Sequence, residues 1–404
     1  MAKKEKEEAP KPTNPEAMAK QIRSALNKGD EDIVAWDLTK DDSPTHVKHF
    51  ISTGSTLLDL VASNRANGGV PSGKIIEIQG EEASGKSLLC GHIIANAQRQ
   101  GCICVYLDTE NAANPDFMQR IGVDLAKLVY VQPGTIEKTF EIIENVIKTL
   151  KAKDKTKRVV ILWDSVGNTP PQAEIEGDYD PNSRMGLGAK AMAKGLRKIT
   201  ELIGREDITL VCTQPLKFAM GGNGYGDPFI TVYGKALPYH SSLRIRVTSS
   251  TKLKDKSNEI YGLVTNARII KSRLGPAHRS VKFEIHFDHG IDDEQSWFNV
   301  LHDGGMIEKA DGYCYINALP SGRIWDKKGS VWEGKDRGIQ FREAGFGELA
   351  RSDEKVRRWA LDTLAALLVV KYEDKRPQRE GEEVPNEDAE WKDPGEGPAE
   401  GAAA

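Results

Sequence analysis

No stretch of the 404-residue sequence is apolar enough to cross a bilayer: the longest strongly apolar run, Leu364 to Val370, falls far short of the about 20 residues a spanning helix needs. The N-terminus, Met1-Ala2-Lys3-Lys4-Glu5-Lys6-Glu7-Glu8, lacks the apolar core of a signal peptide, so a cytosolic chain with no membrane partner is expected. Paired cysteines are missing too. Cys90, Cys102, Cys104, Cys212 and Cys314 are odd in number and include no CxxC pair, which predicts buried reduced thiols rather than a disulfide frame. The eight histidines show no metal spacing; His46 and His49 lie three apart without accompanying ligands. An excess of basic charge is also absent. With 56 basic and 60 acidic residues the chain carries −4, which taken whole disfavours a nucleic-acid partner. That charge is uneven, however. Residues 373–404 hold eleven acids and four bases, so this segment carries −7 and the remainder +3.

What is present is a globular composition, 39% hydrophobic, enough for one large domain with smaller attachments and incompatible with disorder of the whole chain. Residues 1–13 are Lys/Glu/Pro-rich and read as disordered. A helix should follow, capped by Asn14, with Pro15 at its first position, an apolar stripe of Met18, Ile22, Ala25 and Leu26, and Gly29 as its stop. So short a helix is marginal alone and needs a surface to dock on, so 14–50 is read as an oligomerisation helix and linker. From 51 to 291 strands alternate with helices. Ile75–Gln79, Cys102–Leu107, Val159–Trp163 and Ile208–Thr213 read as strands, and Ser87–Gln100, Thr139–Leu150 and Gly186–Ile203 as helices. Continuous apolar strands alternating with helices predict an α/β fold, a mainly parallel twisted sheet covered on both faces. Leu243–Thr248, Leu263–Lys271 and Val281–Phe287 read as an antiparallel extension. A small α+β C-terminal domain is expected over 292–372. It has Gly-punctuated strands around Tyr313–Ile316 and a final helix capped by Ser352 with Val356, Trp359, Leu364, Leu367 and Leu368 inward. Residues 373–404 read as a disordered acidic tail.

Between the first strand and helix lies Gly80-Glu81-Glu82-Ala83-Ser84-Gly85-Lys86-Ser87, followed by Leu88, which fits the phosphate-loop pattern G-x-x-x-x-G-K-[ST] in its required strand–loop–helix context. The glycines let successive N–H groups turn toward phosphate oxygens, and the helix dipole adds to the anion site. Lys86 supplies a point charge for the β and γ phosphates, and the Ser87 hydroxyl a ligand for Mg²⁺. Val159–Trp163 delivers Asp164 as the acid that holds the metal, through water. Cys102–Leu107 delivers Asp108-Thr109-Glu110 to the same edge, where Glu110 can orient or deprotonate water. Ile208–Thr213 delivers Gln214, whose amide can sense the γ-phosphate and pass its position to the next loop. An Arg-rich lid, the mark of small-molecule kinases with this loop, is not found.

With these segments in view the chain resembles the RecA-type DNA recombinases, bacterial or phage-encoded. The resemblance is carried by Ile51-Ser-Thr-Gly-Ser-Thr-Leu-Leu-Asp59, the phosphate loop, Leu107-Asp-Thr-Glu110, Trp163-Asp-Ser-Val166, Ala173-Glu-Ile-Glu-Gly177, Met185-Gly-Leu187, Gln214, Tyr233-Gly-Lys-Ala-Leu237, Ile270-Lys-Ser-Arg273 and Gly304-Gly-Met-Ile-Glu-Lys309. It implies a P-loop NTPase core of the RecA type with ATP and Mg²⁺ as cofactors. It implies that Glu110 is the catalytic glutamate, Gln214 the γ-phosphate switch, and Phe117 the aromatic stacked on adenine. Asn114 stands where the family often has an Asp that contacts the base. Lys271 and Arg273 match the paired cations that reach a neighbouring subunit's ATP; where the family often has two lysines, Arg273 adds a fork suited to phosphate.

Two glycine-bearing segments, 176–186 and 215–235, follow strand ends on the nucleotide edge. A loop of about 20 residues inside a compact domain is functional or disordered. Glycine N–H groups together with Arg184, Lys217 and Lys235 suit phosphates, and Met185, Phe218 and Met220 suit insertion between bases. The resemblance makes these the single-strand-binding loops, with Gly186 and Gly234 among their contacts. The basic run from Lys148 to Arg158 reads as a solvated turn before a strand, with a secondary DNA contact as the alternative. The expectation is thus an ATP-dependent strand-exchange protein that forms helical filaments on single-stranded DNA and pairs it with homologous double-stranded DNA, assisted by single-strand-binding and loader proteins. The alternative is a RecA-fold hexameric helicase or regulatory ATPase, and a non-catalytic filament protein is a further rival.

Overall fold

The computed structural model describes residues 14–28, 35–40, 43–154, 156–176, 186–218, 229–319 and 338–371. The segments read as disordered, 1–13 and 373–404, lie outside the described residues, as do Gly29, Arg184, Met185 and Met220. By contacts, residues 1–370 form one unit and 371–404 another.

A ten-stranded sheet organises the first unit. Its parallel part runs, in spatial order, Leu243–Lys254, Ile75–Gly80, Ile208–Phe218, Val159–Asp164, Ile103–Asp108 and Leu128–Val131. Beyond Leu243–Lys254 the strands Ile260–Ser272, Ser280–His286 and Gly290–Asp292 continue antiparallel. The central strands are apolar throughout because both faces are covered. In Val159–Asp164, Val160 and Leu162 enter one core while Val159, Ile161 and Trp163 enter the other. Each such side chain contributes about 1.5–3 kcal/mol by burial. Trp163 meets Phe140 edge-on, ring centroids 5.4 Å apart, and its Nε1 donates to Thr169 Oγ1 at 2.9 Å.

Local signals start and stop the covering helices. Thr135 Oγ1 accepts from Lys138 N at 3.1 Å and opens Ile136–Lys153, and Gly101, at φ +77°, follows the end of Lys86–Arg99. Helix Pro15–Leu26 is capped by Asn14, whose Oδ1 accepts from Glu16 N at 2.9 Å. None of its residues is buried, and Met18, Ile22 and Leu26 are about half exposed. An Arg23–Asp37 ion pair at 3.0 Å and paired Asn27–Ala35 hydrogen bonds hold its C-terminal end. All five cysteines are buried and unpaired, as expected.

Leu243–Lys254 opens the antiparallel extension as expected, pairing antiparallel with Ile260–Ser272, and it also pairs parallel with Ile75–Gly80, so it joins the two parts of the sheet. The structure corrects three readings. Strand Leu128–Val131 went unrecognised because it is an edge strand with Val129 and Tyr130 exposed. The strand read as ending at Thr213 instead continues through Gln214 and Pro215 to Phe218, in a hairpin with Phe229–Thr231. Finally, Ser352 ends helix Phe346–Ser352, and it is Asp353 whose carboxylate accepts from Lys355 N and Val356 N to cap Glu354–Leu368. In that last helix Val356, Ala360 and Leu364 are buried, whereas Leu367 is 40% exposed.

After residue 292 come helix Asp293–Asp303, the three-stranded sheet Glu308–Ala310, Tyr313–Ile316, Ile339–Phe341, and the two final helices. Their Trp297, Phe298, Leu301, Val356 and Leu364 join the same core as Leu57, Leu58, Phe283 and Ile285.

Candidate functional site

Strand Ile75–Gly80 runs directly into the loop that precedes helix Lys86–Arg99. Gly85, at φ +92°, turns the chain into the helix in a left-handed conformation open chiefly to glycine. A Cβ on Gly80 would lie 2.5 Å from the Val247 carbonyl oxygen and from Ser84 Oγ, so the backbone packs where a side chain cannot. Buried Ser84 donates to the Glu81 carbonyl at 2.8 Å and its own carbonyl accepts from Thr265 Oγ1 at 3.4 Å, which braces the loop from inside. Lys86 Nζ donates to the Glu81 carbonyl at 2.7 Å. Burial lowers its pKa, while the charges of Asp164 and Glu110 pull it up, so both carboxylates bear on this ammonium. Glu81, Glu82, Ala83 and Ser87 are exposed, and Leu88 packs against the core.

Parallel strands end on one edge, and the register brings Asp108 beside Asp164 and Gln79 beside Gln214. Asp164 is buried and accepts from the Tyr106 hydroxyl at 3.0 Å and from Thr213 Oγ1. Glu110 is exposed, and its Oε1 accepts from Asn168 Nδ2 at 2.8 Å and from Ser165 Oγ. Asp108 shapes the turn that presents Glu110, accepting from Glu110 N at 2.9 Å, Ala113 N at 3.2 Å and the Tyr130 hydroxyl at 2.8 Å. Sequence reasoning assigned no role to Asp108, Ser165 or Asn168. The first two lie inside quoted segments; Asn168 carried no signal.

Gln214 is buried, and its Nε2 donates to the Val232 carbonyl at 2.8 Å while its Oε1 has no hydrogen-bond partner among the described residues. A buried amide oxygen left unpaired costs about 1–3 kcal/mol. Next to Val232, Tyr233 donates to the Thr169 carbonyl at 2.9 Å. A Cβ on Gly188 would lie 2.2 Å from the Tyr233 ring, so helix Leu187–Arg205 approaches that ring as only glycine permits. Gln214, Tyr233, Thr169 and the helix that starts at Gly186 are thereby tied together.

Asn114 caps helix Pro115–Arg120, its Oδ1 accepting from Phe117 N at 3.1 Å, and Phe117 is half-buried against the core. Lys271 and Arg273 sit elsewhere. Arg244 stands opposite Lys271 and opposite Glu77, near the N-terminal ends of the parallel strands rather than the phosphate-loop ends. Lys271 Nζ donates to the Pro238 carbonyl at 2.8 Å and the Tyr239 carbonyl at 3.0 Å; Arg273 Nη2 reaches the latter at 3.4 Å. Burial lowers the Lys271 pKa, with Arg273 and Arg244 adding to the effect. Fully buried Glu77 accepts from Arg244 Nε at 2.7 Å and Nη2 at 3.3 Å. Burial raises the Glu77 pKa against Arg244, Lys271 and Arg246.

Of the expected DNA-facing residues, Gly186 is exposed at φ +85° as the cap of Leu187–Arg205, Lys217 is exposed on the hairpin strand, and Gly234, at φ +74°, and Lys235 are exposed before helix Ala236–His240. The backbone of Phe218 ends the hairpin strand. In the basic run, Lys151 lies 3.9 Å from Glu206 and Arg158 donates to Gln100.

Comparison with known proteins matches residues 18–292 to the family described as the RecA N-terminal domain. Protein RecA of Desulforapulum autotrophicum is 36% identical over 264 residues, covering 65% of this chain and 73% of that protein. Protein RecA of Arthrospira platensis is 31% identical over 359 residues, 88% of this chain and 92% of that protein. Protein RecA of Thermus thermophilus is 33% identical over 315 residues, 78% and 89% respectively. A phosphate loop backed by two strand-end carboxylates, and a family match over most of the chain, lead to one conclusion: the chain belongs to the RecA family, the ATP-dependent recombinases of DNA recombination and repair.

Proposed function

We propose that this recombinase binds ATP with Mg²⁺ in a site completed by a second copy of the chain, within a helical filament on single-stranded DNA. The observation that carries this is the split of cationic groups across the sheet. Lys86 lies at the phosphate edge, whereas Lys271 and Arg273 are set back by about four residues of strand, roughly 13 Å, so these cations lie away from their own subunit's loop. The donor set fits the nucleotide. Loop N–H groups and Lys86 take the phosphates, Ser87 and Asp164 suit an oxygen-preferring cation, and Asn114 and Phe117 take the base. Mg²⁺, when bound, neutralises phosphate charge as it develops. Glu110, held by Asn168 and Ser165, orients and deprotonates water. Gln214 offers its unpaired Oε1 on the same edge, and its Nε2 bond to Val232 carries a change in position to the loop closed by Gly234 and Lys235. Arg184, Met185, Gly186, Lys217 and Phe218 complete the DNA surface.

In this reading the filament exchanges its strand with homologous duplex, and hydrolysis releases it. Single-strand-binding and loader proteins act as partners in the cytoplasm. Among the described residues no helix is long and apolar enough to cross a membrane. A closed-ring helicase built on the same core is not favoured by the relatives. Electron microscopy with ATP and single-stranded DNA tests the reading: helical filaments are expected, and rings or unassembled subunits would refute it. In the same preparation Lys86→Ala should lose ATP turnover.

A further inference from the structure

We propose that His286, His289 and Asp292 form a binding site for a divalent transition-metal ion of the zinc type. The three lie on one hairpin at a spacing of H-x-x-H-x-x-D. His286 ends strand Ser280–His286, the chain turns through Phe287–His289, and Gly290–Asp292 returns with His286 opposite Gly290 and Glu284 opposite Asp292. His286 and Asp292 therefore share a face of the sheet, and the turn folds His289 over it. One nitrogen from each ring and one Asp292 oxygen all lie within 4.8 Å of one another. Ligands about 2.0–2.2 Å from a common ion sit closer than that, so binding draws the half-exposed His289 ring inward together with its Asp288 partner.

The surroundings suit ligation. The rings of His286 and His289 are already packed, centroids 4.7 Å apart, and Tyr261 meets His286 edge-on at 5.2 Å. Each histidine has a carboxylate at one nitrogen: Asp288 Oδ1 lies 2.7 Å from His289 Nδ1, and Glu284 Oε2 lies 3.4 Å from His286 Nε2. A carboxylate on one ring nitrogen fixes the ring and makes the other nitrogen a better ligand. Asp292 Oδ1 accepts from Gln295 N at 3.3 Å and Arg351 Nη1 at 2.9 Å, and both bonds fall on this oxygen, leaving Oδ2 for an ion. Two imidazoles and one carboxylate suit zinc and its neighbours in the first transition row, whereas Mg²⁺ and Ca²⁺ prefer oxygen alone. An ion held here ties the hairpin turn to the residue that caps helix Asp293–Asp303, and so stabilises the start of the C-terminal elements.

The test uses the full chain, stripped with chelator, free of nucleotide and kept in excess Mg²⁺ so that oxygen-only sites stay filled. Titration with Co²⁺ alone should give a saturable visible absorption band at one ion per chain, displaced by Zn²⁺. The band should disappear in His286→Gln/His289→Gln, with circular dichroism and DNA-stimulated ATP hydrolysis unchanged. Asp288→Asn should weaken Co²⁺ binding about tenfold. Should the double variant not fold, Asp292→Asn, which retains a capping side chain, should lose most of the band. Absence of the band in the unaltered chain, or an unchanged band and stoichiometry in the folded double variant or in Asp292→Asn, would overturn the proposal.

Discussion

Replacing Arg244 by Met tests how the interior charge beside Lys271 is held. Glu77 is fully buried and receives both guanidinium bonds, 2.7 and 3.3 Å, from Arg244. Removing one partner of a buried pair leaves the other charge uncompensated, at a cost of about 3–5 kcal/mol. For a cooperative unit of about 300 residues the unfolding entropy is about 0.6 kcal/mol per degree, so Arg244→Met should lower the melting temperature by about 5–8 °C. The same variant should be less destabilised at pH 5 than at pH 8. Burial already raises the Glu77 pKa, and without Arg244 it rises further; a raised folded-state pKa gives stability that is present at low pH and lost as pH rises. Glu77→Leu/Arg244→Met removes both charges and should return to within about 1 kcal/mol of the unaltered chain, since apolar replacement of a buried pair is often neutral. Denaturant unfolding of the two single variants and the double variant measures the coupling. If Arg244→Met costs less than about 1 kcal/mol, or the double variant is as unstable as the sum of the singles, the pair does not hold this part of the sheet as argued.

Gln214→Ala should leave nucleotide affinity within a few-fold while abolishing the stimulation of ATP hydrolysis by single-stranded DNA; retained stimulation in a steady-state assay would break the link through Val232. Gly188→Ala forces a methyl into the Tyr233 ring and should destabilise by about 1–3 kcal/mol, read as a shifted denaturant midpoint. His92 is held neutral, its pKa pushed down to about 4 by burial, with Nε2 accepting from Ile291 N at 3.1 Å. A depressed folded pKa means stability that is present above pH 6.5 and lost as pH falls toward 4, about 3 kcal/mol in all, and His92→Gln should flatten that part of the stability profile. Deleting 373–404 removes −7 of charge and should tighten DNA binding and change its salt dependence; an unchanged salt slope would give the tail another role.

Much of this molecule is legible in its sequence because function and fold use the same signals. The phosphate loop requires glycine at 80 and 85 for reasons of backbone space and conformation, and the strands ending in Asp108 and Asp164 are marked by unbroken apolar runs. The parallel pairing of Leu243–Lys254 with Ile75–Gly80 was not legible, since alternation of buried residues carries no polarity. Nor was the grip on Glu110: Ser165 and Asn168 are small polar residues whose role exists only once the strand ends at 108 and 164 lie side by side. The Glu77–Arg244 pair lies 167 positions apart in sequence and is set by strand register. The histidine spacing at 286 and 289 is not legible as a site in the sequence because it makes sense only on a hairpin, where the third ligand comes from the returning strand.

The unburied N-terminal helix has a consequence for how sequence change is tolerated. Since Met18, Ile22 and Leu26 contribute no packing to the core of their own chain, substitutions there leave the folded subunit intact and are felt wherever another surface covers the stripe. Where another surface does cover the stripe, folding and association come under separate control. The core at Val159–Asp164 answers to its own helices, while residues 15–26 are constrained by no packing of that core.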